Sequence, residues 1–396
     1  MKNKKVNRRD FFRLSATAGA GALLIPNVSA ASQLPVSNSK AKDEYPVRTL
    51  GRTGITVPVI SMGVMRADNP NVVRAAYNAG ITHFDTAHGY QNGRNEEMLG
   101  NFFKDKSRDS FTIATKGKFD YPLSDNFEKE YTELLDTSLK RLQMDYVDIF
   151  YAHDLKSPEM VKDKRVIDIL KKFRSDGKIR HIGFSMHNHN PAQIDAAIEA
   201  GIYDVILLSY NFKLDNIKET DEAIARGARA GIGFVAMKTM TGGTEDADGK
   251  KQINGQACLR WVWKNENIAT AIPGFTNFEL LDDCLAAAKN PSLTSGDRQY
   301  LASLCDKEML YCQQCGKCLQ QCAQHLPVPD LMRAYMYAYG YKNASLSKET
   351  LAEVNLTDEA CLNCGKCQVE CTLGFDVSKK IAAIKPVIHV PDVFLT

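Results

Sequence analysis

The sequence carries little excess charge: 50 Lys and Arg stand against 47 Asp and Glu, a formal net charge of +3. Lys2, Lys4, Lys5, Arg8, Arg9 and Arg13 all fall in the first thirteen residues, against the single acid Asp10. The rest is therefore slightly acidic and has no basic patch, which argues against a nucleic-acid partner. There is no apolar run near the ~20 residues of a permanent membrane anchor, and no low-complexity tract. A G-x-G-x-x-G after the first predicted strand is also missing, which weakens a doubly wound dinucleotide-binding sheet. What remains, 396 residues at 44% apolar and 24% charged, suits one large globular domain plus a smaller one.

Cysteine is plentiful and ordered. Eight of the eleven cysteines form two copies of C-x2-C-x2-C-x3-C: Cys312, Cys315, Cys318 and Cys322, then Cys361, Cys364, Cys367 and Cys371. Gly316 and Gly365 break each run, so four thiolates can converge on one inorganic core. This is the ligand run of two-cluster ferredoxins, in which the fourth cysteine serves the other cluster. Two [4Fe–4S] clusters are the expected cofactors. Zinc sites use paired cysteines instead. A disulfide framework would crowd the bridges for little loop closure. Cys258, Cys284 and Cys305 lack ligand spacing and read as packing residues.

Residues 1–31 read as an export signal. Arg8-Arg9 precedes Phe11-Phe12, residues 14–25 are weakly apolar and Ala/Gly-rich, and Val28-Ser29-Ala30 offers small residues for cleavage. The twin arginine points to the twin-arginine export machinery, a general secretory signal being the alternative. The twin-arginine route carries folded proteins, as a chain loaded with clusters in the cytoplasm requires. Export in folded form, to the periplasm or otherwise beyond the inner membrane, is the expected localisation. Residues 32–45 read as a linker, and a second composition shift falls near Asn290-Pro291.

From 57 to 290, β-branched and apolar runs alternate with amphipathic stretches. Strands are predicted at 57–62, 81–85, 111–116, 147–153, 181–185, 205–209, 234–238 and 269–273. Helices are predicted at 71–78, 95–103, 126–142, 166–175, 191–199, 221–230, 255–264 and 278–288. Eight β-then-α units predict an α/β fold, a (β/α)8 TIM barrel over 46–290. A small α-helical ferredoxin-like domain follows over 291–396, with a helix predicted at 329–342 between the cysteine runs. In such barrels chemistry sits at the C-terminal strand ends. Those positions hold Asp85, His88, Tyr90, Lys116, His153, Asp154, Ser185, Tyr210, Asn211 and Lys238. His187 and His189 lie in a polar loop beside this rim, where a metal site is the less favoured reading.

The chain resembles the aldo-keto reductase family through Leu50-Gly51-Arg52-Thr53-Gly54, Phe84-Asp85-Thr86-Ala87 with Tyr90, and Asn95-Glu96-Glu97-Met98-Leu99-Gly100. Ala114-Thr115-Lys116, Tyr151-Ala152-His153, Gly177-Lys178-Ile179-Arg180, Gly183-Phe184-Ser185 and Ile272-Pro273-Gly274 continue the match in order. With the cysteine-rich tail it looks like the bacterial iron–sulfur branch. The resemblance implies a catalytic tetrad of Asp85, Tyr90, Lys116 and His153. Tyr90 would exchange the proton, its pKa lowered by Lys116, which Asp85 holds; His153 would orient the substrate oxygen.

For the nucleotide, NADP or NAD, the resemblance implies Ser185 at the carboxamide; Gly242, Gly243 and Gly274, after strands 7 and 8 where barrels often bind phosphate, offer it backbone N–H groups. The chain departs from the family at Met186, Leu207 and Met237, where an asparagine, a glutamine and a stacking aromatic are usual. It departs again at Gly274, Phe275 and Leu280, where 2′-phosphate ligands are usual. The expected substrate is a small carbonyl or alcohol such as a sugar derivative, with a redox partner protein for the clusters. An electron carrier on an inactive barrel, a binding protein, and clusters serving only as structural staples are the competing readings.

Overall fold

The computed structural model describes residues 45–188, 191–243, 253–304, 310–361, 364–365 and 367–395. The export signal, nearly all of the linker, His189 and Cys305 lie outside them. Eight parallel strands form the sheet: β1 (Met62–Gly63), β2 (His83–Asp85), β3 (Thr112–Gly117), β4 (Val147–Ala152), β5 (Ile179–Met186), β6 (Val205–Ser209), β7 (Gly233–Met237) and β8 (Ile268–Ala271). Each pairs with its neighbours in sequence order. Parallel bridges from Ile60 to Ala271 and Gly63 to Gly274 bring the first strand against the last, so the sheet is a nearly closed barrel. Helices follow strand by strand, among them Pro70–Asn78, Arg94–Phe103, Phe127–Leu142, Lys164–Ser175, Pro191–Ala200, Ile217–Arg229, Gly255–Trp263 and Phe278–Lys289.

The predicted first strand at 57–62 is two elements. Thr56–Pro58 pairs antiparallel with Val47–Thr49 in a hairpin, and only Met62–Gly63 joins the barrel. Pro58 and Pro46 supply no backbone donor, which favours a short edge ribbon over a long barrel strand. Leu50 and Val57 of this hairpin are fully buried with Ala114, Ile149, Tyr151, Val205, Leu207, Val235 and Ala269, filling the barrel interior from below. Side chains of that size each contribute about 1.5–3 kcal/mol when fully buried. Tyr151 fits because its neighbour is Gly183, where a Cβ would lie 2.5 Å from the ring. The bottom is packed shut. The polar strand ends therefore face only the top.

The tail bears on that top. Val328–Tyr335 runs into a π-turn at Met336–Gly340, and Ala344–Glu353 and Val377–Ile384 pack on the first of these helices. Asn343 and Asp376 cap the later two by accepting from Leu346 N (2.8 Å) and Lys379 N (3.0 Å). Leu331, Ala334, Leu351, Ile381 and Ile384 join the same apolar core as the barrel helices. The predicted helix at 329–342 is present, with its last turn widened. No described helix is long and apolar enough to cross a membrane.

Candidate functional site

Asp85 ends β2 and Lys116 lies near the end of β3, with Asp85 in register with Ala114. Their side chains turn inward and meet: Lys116 Nζ donates to Asp85 Oδ1 and to Thr86 O, both at 2.5 Å. The two residues are 1% and 2% exposed. Asn95 holds this floor together. Its Nδ2 donates to Val64 O (2.8 Å) and its Oδ1 accepts from Thr86 Oγ1 (2.6 Å), tying the loops after β1 and β2. Tyr90 sits above, on a short turn with left-handed Gln91 and Asn92. The Lys116 ammonium lies 5.0 Å from the centre of its ring. His153, just past β4, stands edge-on to Tyr90 with ring centres 6.0 Å apart. All four residues that the resemblance nominates thus meet at one mouth.

Their protonation differs from expectation in one respect. Burial, then Asp85, Tyr337, Tyr341 and Asp154, push the Tyr90 phenol well above its usual value. The anticipated lowering by Lys116 is absent because that cation is directed at Asp85 and Thr86 and meets Tyr90 through the ring. Burial pushes Asp85 up and Lys116 down, each opposed by their mutual attraction. Burial, then the Lys116 charge, holds His153 well below the usual imidazole range, so it is neutral.

The nucleotide positions are only partly gathered. Gly242, Gly243 and Gly274 line a cavity of about 110 Å³ that reaches Asp85 and Tyr90, with Leu207 and Met237 among its apolar lining. Ser185 is engaged elsewhere: its Oγ accepts from the backbone of Asp154 at 2.9 Å. Arg66 Nε and Thr241 Oγ1 are buried without hydrogen bonds. Arg66 lines the cavity with these glycines, so a pyrophosphate there could satisfy its Nε. A groove of about 1000 Å³ shares Arg66, Tyr90, Leu280 and Tyr341 with the cavity and continues past Thr276 and Asn277. Its size lies at the top of the usual range for ligand pockets, roughly 300–1,000 Å³. The residues fit a dinucleotide, although the β8 loop has no basic group for a 2′-phosphate.

Several site residues come from the tail and were not among the sequence candidates. Tyr337 and Tyr341 line the cavity and stack over Lys238 Nζ at 5.2 and 5.8 Å. Burial, then Arg333, lowers Lys238 to about 7. Arg333, 4% exposed, faces Asp154 Oδ2 at 3.3 Å and Asp330 Oδ1 at 2.7 Å. The spacing of Leu346, Glu349, Thr350 and Glu353 was the available signal, since i, i+3, i+4 and i+7 share one helix face; all four border a chamber beside Tyr90 and His153. His187 lines both spaces. No set of three His, Cys, Asp or Glu is placed to hold a single metal ion among the described residues.

The cysteines sort into crossed sets. Cys312, Cys315, Cys318 and Cys371 surround one apolar cavity with Val328, Met332 and Leu373. The thiols that bear on Cys361 are Cys364, Cys322 and Cys367. Each run therefore lends its fourth cysteine to the other set, as two cubane clusters require. Gln314 N donates to Cys312 Sγ at 3.3 Å, a bond suited to a cluster sulfur. Burial pushes the Cys312 thiol to about 12, so only a bound cation would keep it a thiolate at neutral pH. None of the ten described cysteines is in a disulfide, and Cys258 and Cys284 are buried packing residues. The first set lies against the barrel: Gln313 accepts from Asn211 Nδ2 (2.9 Å) and donates to Thr241 O (2.9 Å).

Residues 62–255 match the model of the Aldo/keto reductase family, and residues 311–376 match that of a 4Fe-4S dicluster domain. L-galactose dehydrogenase from Arabidopsis thaliana is 33% identical over 153 residues, 35% of this chain and 48% of that protein. Aldo-keto reductase yakc [NADP(+)] from Schizosaccharomyces pombe is 34% identical over 170 residues, 39% of this chain and 49% of that protein. The chain thus spans about half the length of these curated relatives. The solved holo form of aldo-keto reductase AKR11C1 from Bacillus halodurans superposes with a TM-score of 0.55 at 21% identity, covering 68% of this chain and 99% of that one. That likeness concerns the fold. Barrel, site geometry and sequence matches agree: the chain carries an aldo/keto reductase family domain followed by a 4Fe-4S dicluster domain.

Proposed function

We propose that the protein is an oxidoreductase that interconverts a carbonyl and an alcohol at Tyr90. The observation that carries this reading is the buried Lys116–Asp85 pair beneath Tyr90, with neutral His153 at its edge. A nicotinamide nucleotide, when bound, supplies the hydride. Tyr90 supplies the proton: burial keeps the phenol in its protonated form, ready to donate to the oxygen when a carbonyl takes the hydride. Neutral His153 can donate a hydrogen bond to the same oxygen. Asp85 keeps the Lys116 ammonium charged inside the barrel, beneath the Tyr90 ring. The NADP(+) in one relative's name and the sugar in another's support NADP and a sugar-type substrate.

The crossed cysteine sets support two [4Fe–4S] clusters, the first facing the barrel and the second available to a redox partner. The pattern of residues 8–30 supports folded export by the twin-arginine machinery to the periplasm. A nucleotide retained there would have to be tightly bound. Met336 and Tyr311 packed over Gly242 favour such retention.

Tyr90→Phe tests the proposal. General acids contribute about 10²–10⁴-fold, so carbonyl turnover should fall by that factor with cluster absorbance unchanged. Undiminished turnover would remove the tyrosine from the chemistry. An electron carrier with no carbonyl chemistry is the second reading, favoured by the apolar Leu207 and Met237 where nucleotide contacts are usual. Anaerobic purification, with identification of any released nucleotide and counting of iron and sulfide, separates the two.

A further inference from the structure

The chamber beside Tyr90 and His153, about 240 Å³ in volume, has walls from two parts of the chain. The barrel contributes Asp154 and His187, and the tail contributes Arg333, Glu349 and Glu353. Every cation on this lining already faces a carboxylate: Lys116 faces Asp85, Lys118 faces Glu353, and Arg333 faces Asp154. A phosphate or carboxylate entering here would meet no uncommitted positive charge and would pay its desolvation unaided.

The lining nevertheless has hydrogen-bonding capacity to spare. Asp154 and His187 are 6% and 9% exposed, and Asp154 Oδ2 and His187 Nδ1 have no hydrogen-bond partner. The Arg333 contact at 3.3 Å balances the Asp154 charge without hydrogen-bond alignment. Asp154 itself is strained at φ 60° beside His153, held by Ser185 from β5 and by Arg333 from the tail. Glu349 is half-buried, and its carboxylate accepts a long bond of 3.4 Å from Ser345 Oγ. Buried polar atoms left unsatisfied are costly, and a ligand hydroxyl would satisfy them.

We propose that the dicluster tail forms the specificity-determining wall of the active site, with Glu349 and the Arg333-positioned Asp154 receiving hydroxyl groups of an uncharged, hydroxylated carbonyl substrate. The proposal rests on the carbonyl reading above and assigns to the tail a role apart from electron transfer. Glu349 binds directly; Arg333 is a positioning residue. Phosphorylated sugars are excluded from this chamber, and free hydroxyaldehydes are admitted.

The test is calorimetric binding to the full-length, cluster-loaded Tyr90→Phe variant, which keeps the chamber but lacks the proton donor. D-glyceraldehyde should bind about tenfold more tightly than propanal, and D-glyceraldehyde 3-phosphate more weakly than either. Glu349→Leu should reduce that preference to about twofold while leaving propanal binding and iron content unchanged. Glu349→Gln keeps an acceptor of the same size and should retain most of the preference, which guards against a folding artefact. Equal binding of the two aldehydes, a preference that survives Glu349→Leu, or tighter binding of the phosphate ester overturns the proposal. Binding preference without turnover in the parent protein counts against the redox reading alone.

Discussion

At the scale of single residues, burial governs the chemistry of this site more than pairwise charge does. Tyr90, Lys116 and His153 are each pushed toward the neutral form by desolvation, and Lys116 stays useful as a cation because Asp85 touches it. Removing one partner of a buried pair strands the other, at a cost of roughly 3–5 kcal/mol. Asp85→Asn should therefore lower thermal stability as well as turnover, measurable by unfolding and steady-state rates on the same preparation. His83 extends the pattern. Both its ring nitrogens are buried and unpartnered, and burial followed by the Lys116 charge holds its pKa at about 3 against an ordinary 6.5. The unfolded chain takes up this proton below 6.5 and the folded chain does not until near 3. Stability present above the ordinary value is thus lost as pH falls toward the lower one. His153 and His187 shift in the same direction. The urea midpoint should drop between about pH 7 and pH 5, His83 alone contributing about 2 kcal/mol at the lower pH. His83→Leu should remove its share, and an unchanged slope would show that the proton goes elsewhere.

At the scale of elements, the loop after β7 and the π-turn of the tail determine each other. Gly242 has φ 98°, and a Cβ there would come within 2.5 Å of Met336 Sδ and 3.3 Å of Tyr311 Cβ. Gln313 bridges the same place to Asn211. Gly242→Ala should cost about 1–3 kcal/mol through combined backbone strain and overpacking. It should also release the tail to limited proteolysis before the barrel unfolds. Cleavage rates equal to those of the parent would place the docking energy elsewhere. The widened turn also explains the placement of Tyr337 and Tyr341. They are four residues apart, on one face, and their ring centres lie 5.5 Å from each other above Lys238.

For the whole molecule, the tail is both a cluster carrier and a wall of the active site. Much of its ligand region is loop, with Gln314, Gly316, Cys361 and Gly365 at positive φ. Cluster binding would therefore supply much of its folding energy, as in other small metal-dependent domains. Iron chelation should leave the barrel folded by circular dichroism yet weaken aldehyde binding about tenfold, because Arg333 and Glu349 lose their backing. Unchanged binding in cluster-free protein would mean that the tail helices stand without metal.

Chemistry that is local in the chain was legible in the sequence. The two cysteine runs, the eight alternations and the order of Asp85, Tyr90, Lys116 and His153 reflect the fixed periodicities of strand and helix and short-range ligand geometry. The split of the first strand was missed, because Val57 and Met62 are both apolar and Pro58 marks an edge without saying which partner it has; the antiparallel pairing with Val47–Thr49 decides that. So was the engagement of Ser185 by Asp154, which depends on the register of β5 beside β4. The largest gap was the second wall of the site. Arg333 lies 179 positions from Asp154, and no pattern within either segment marks the two as neighbours. Their meeting depends on where the tail docks, which is decided by the Gly242 approach, the Gln313 bridge and the shared apolar core. Composition and spacing determined which chemistry this protein carries; long-range packing decided which groups surround it, and so what it can admit.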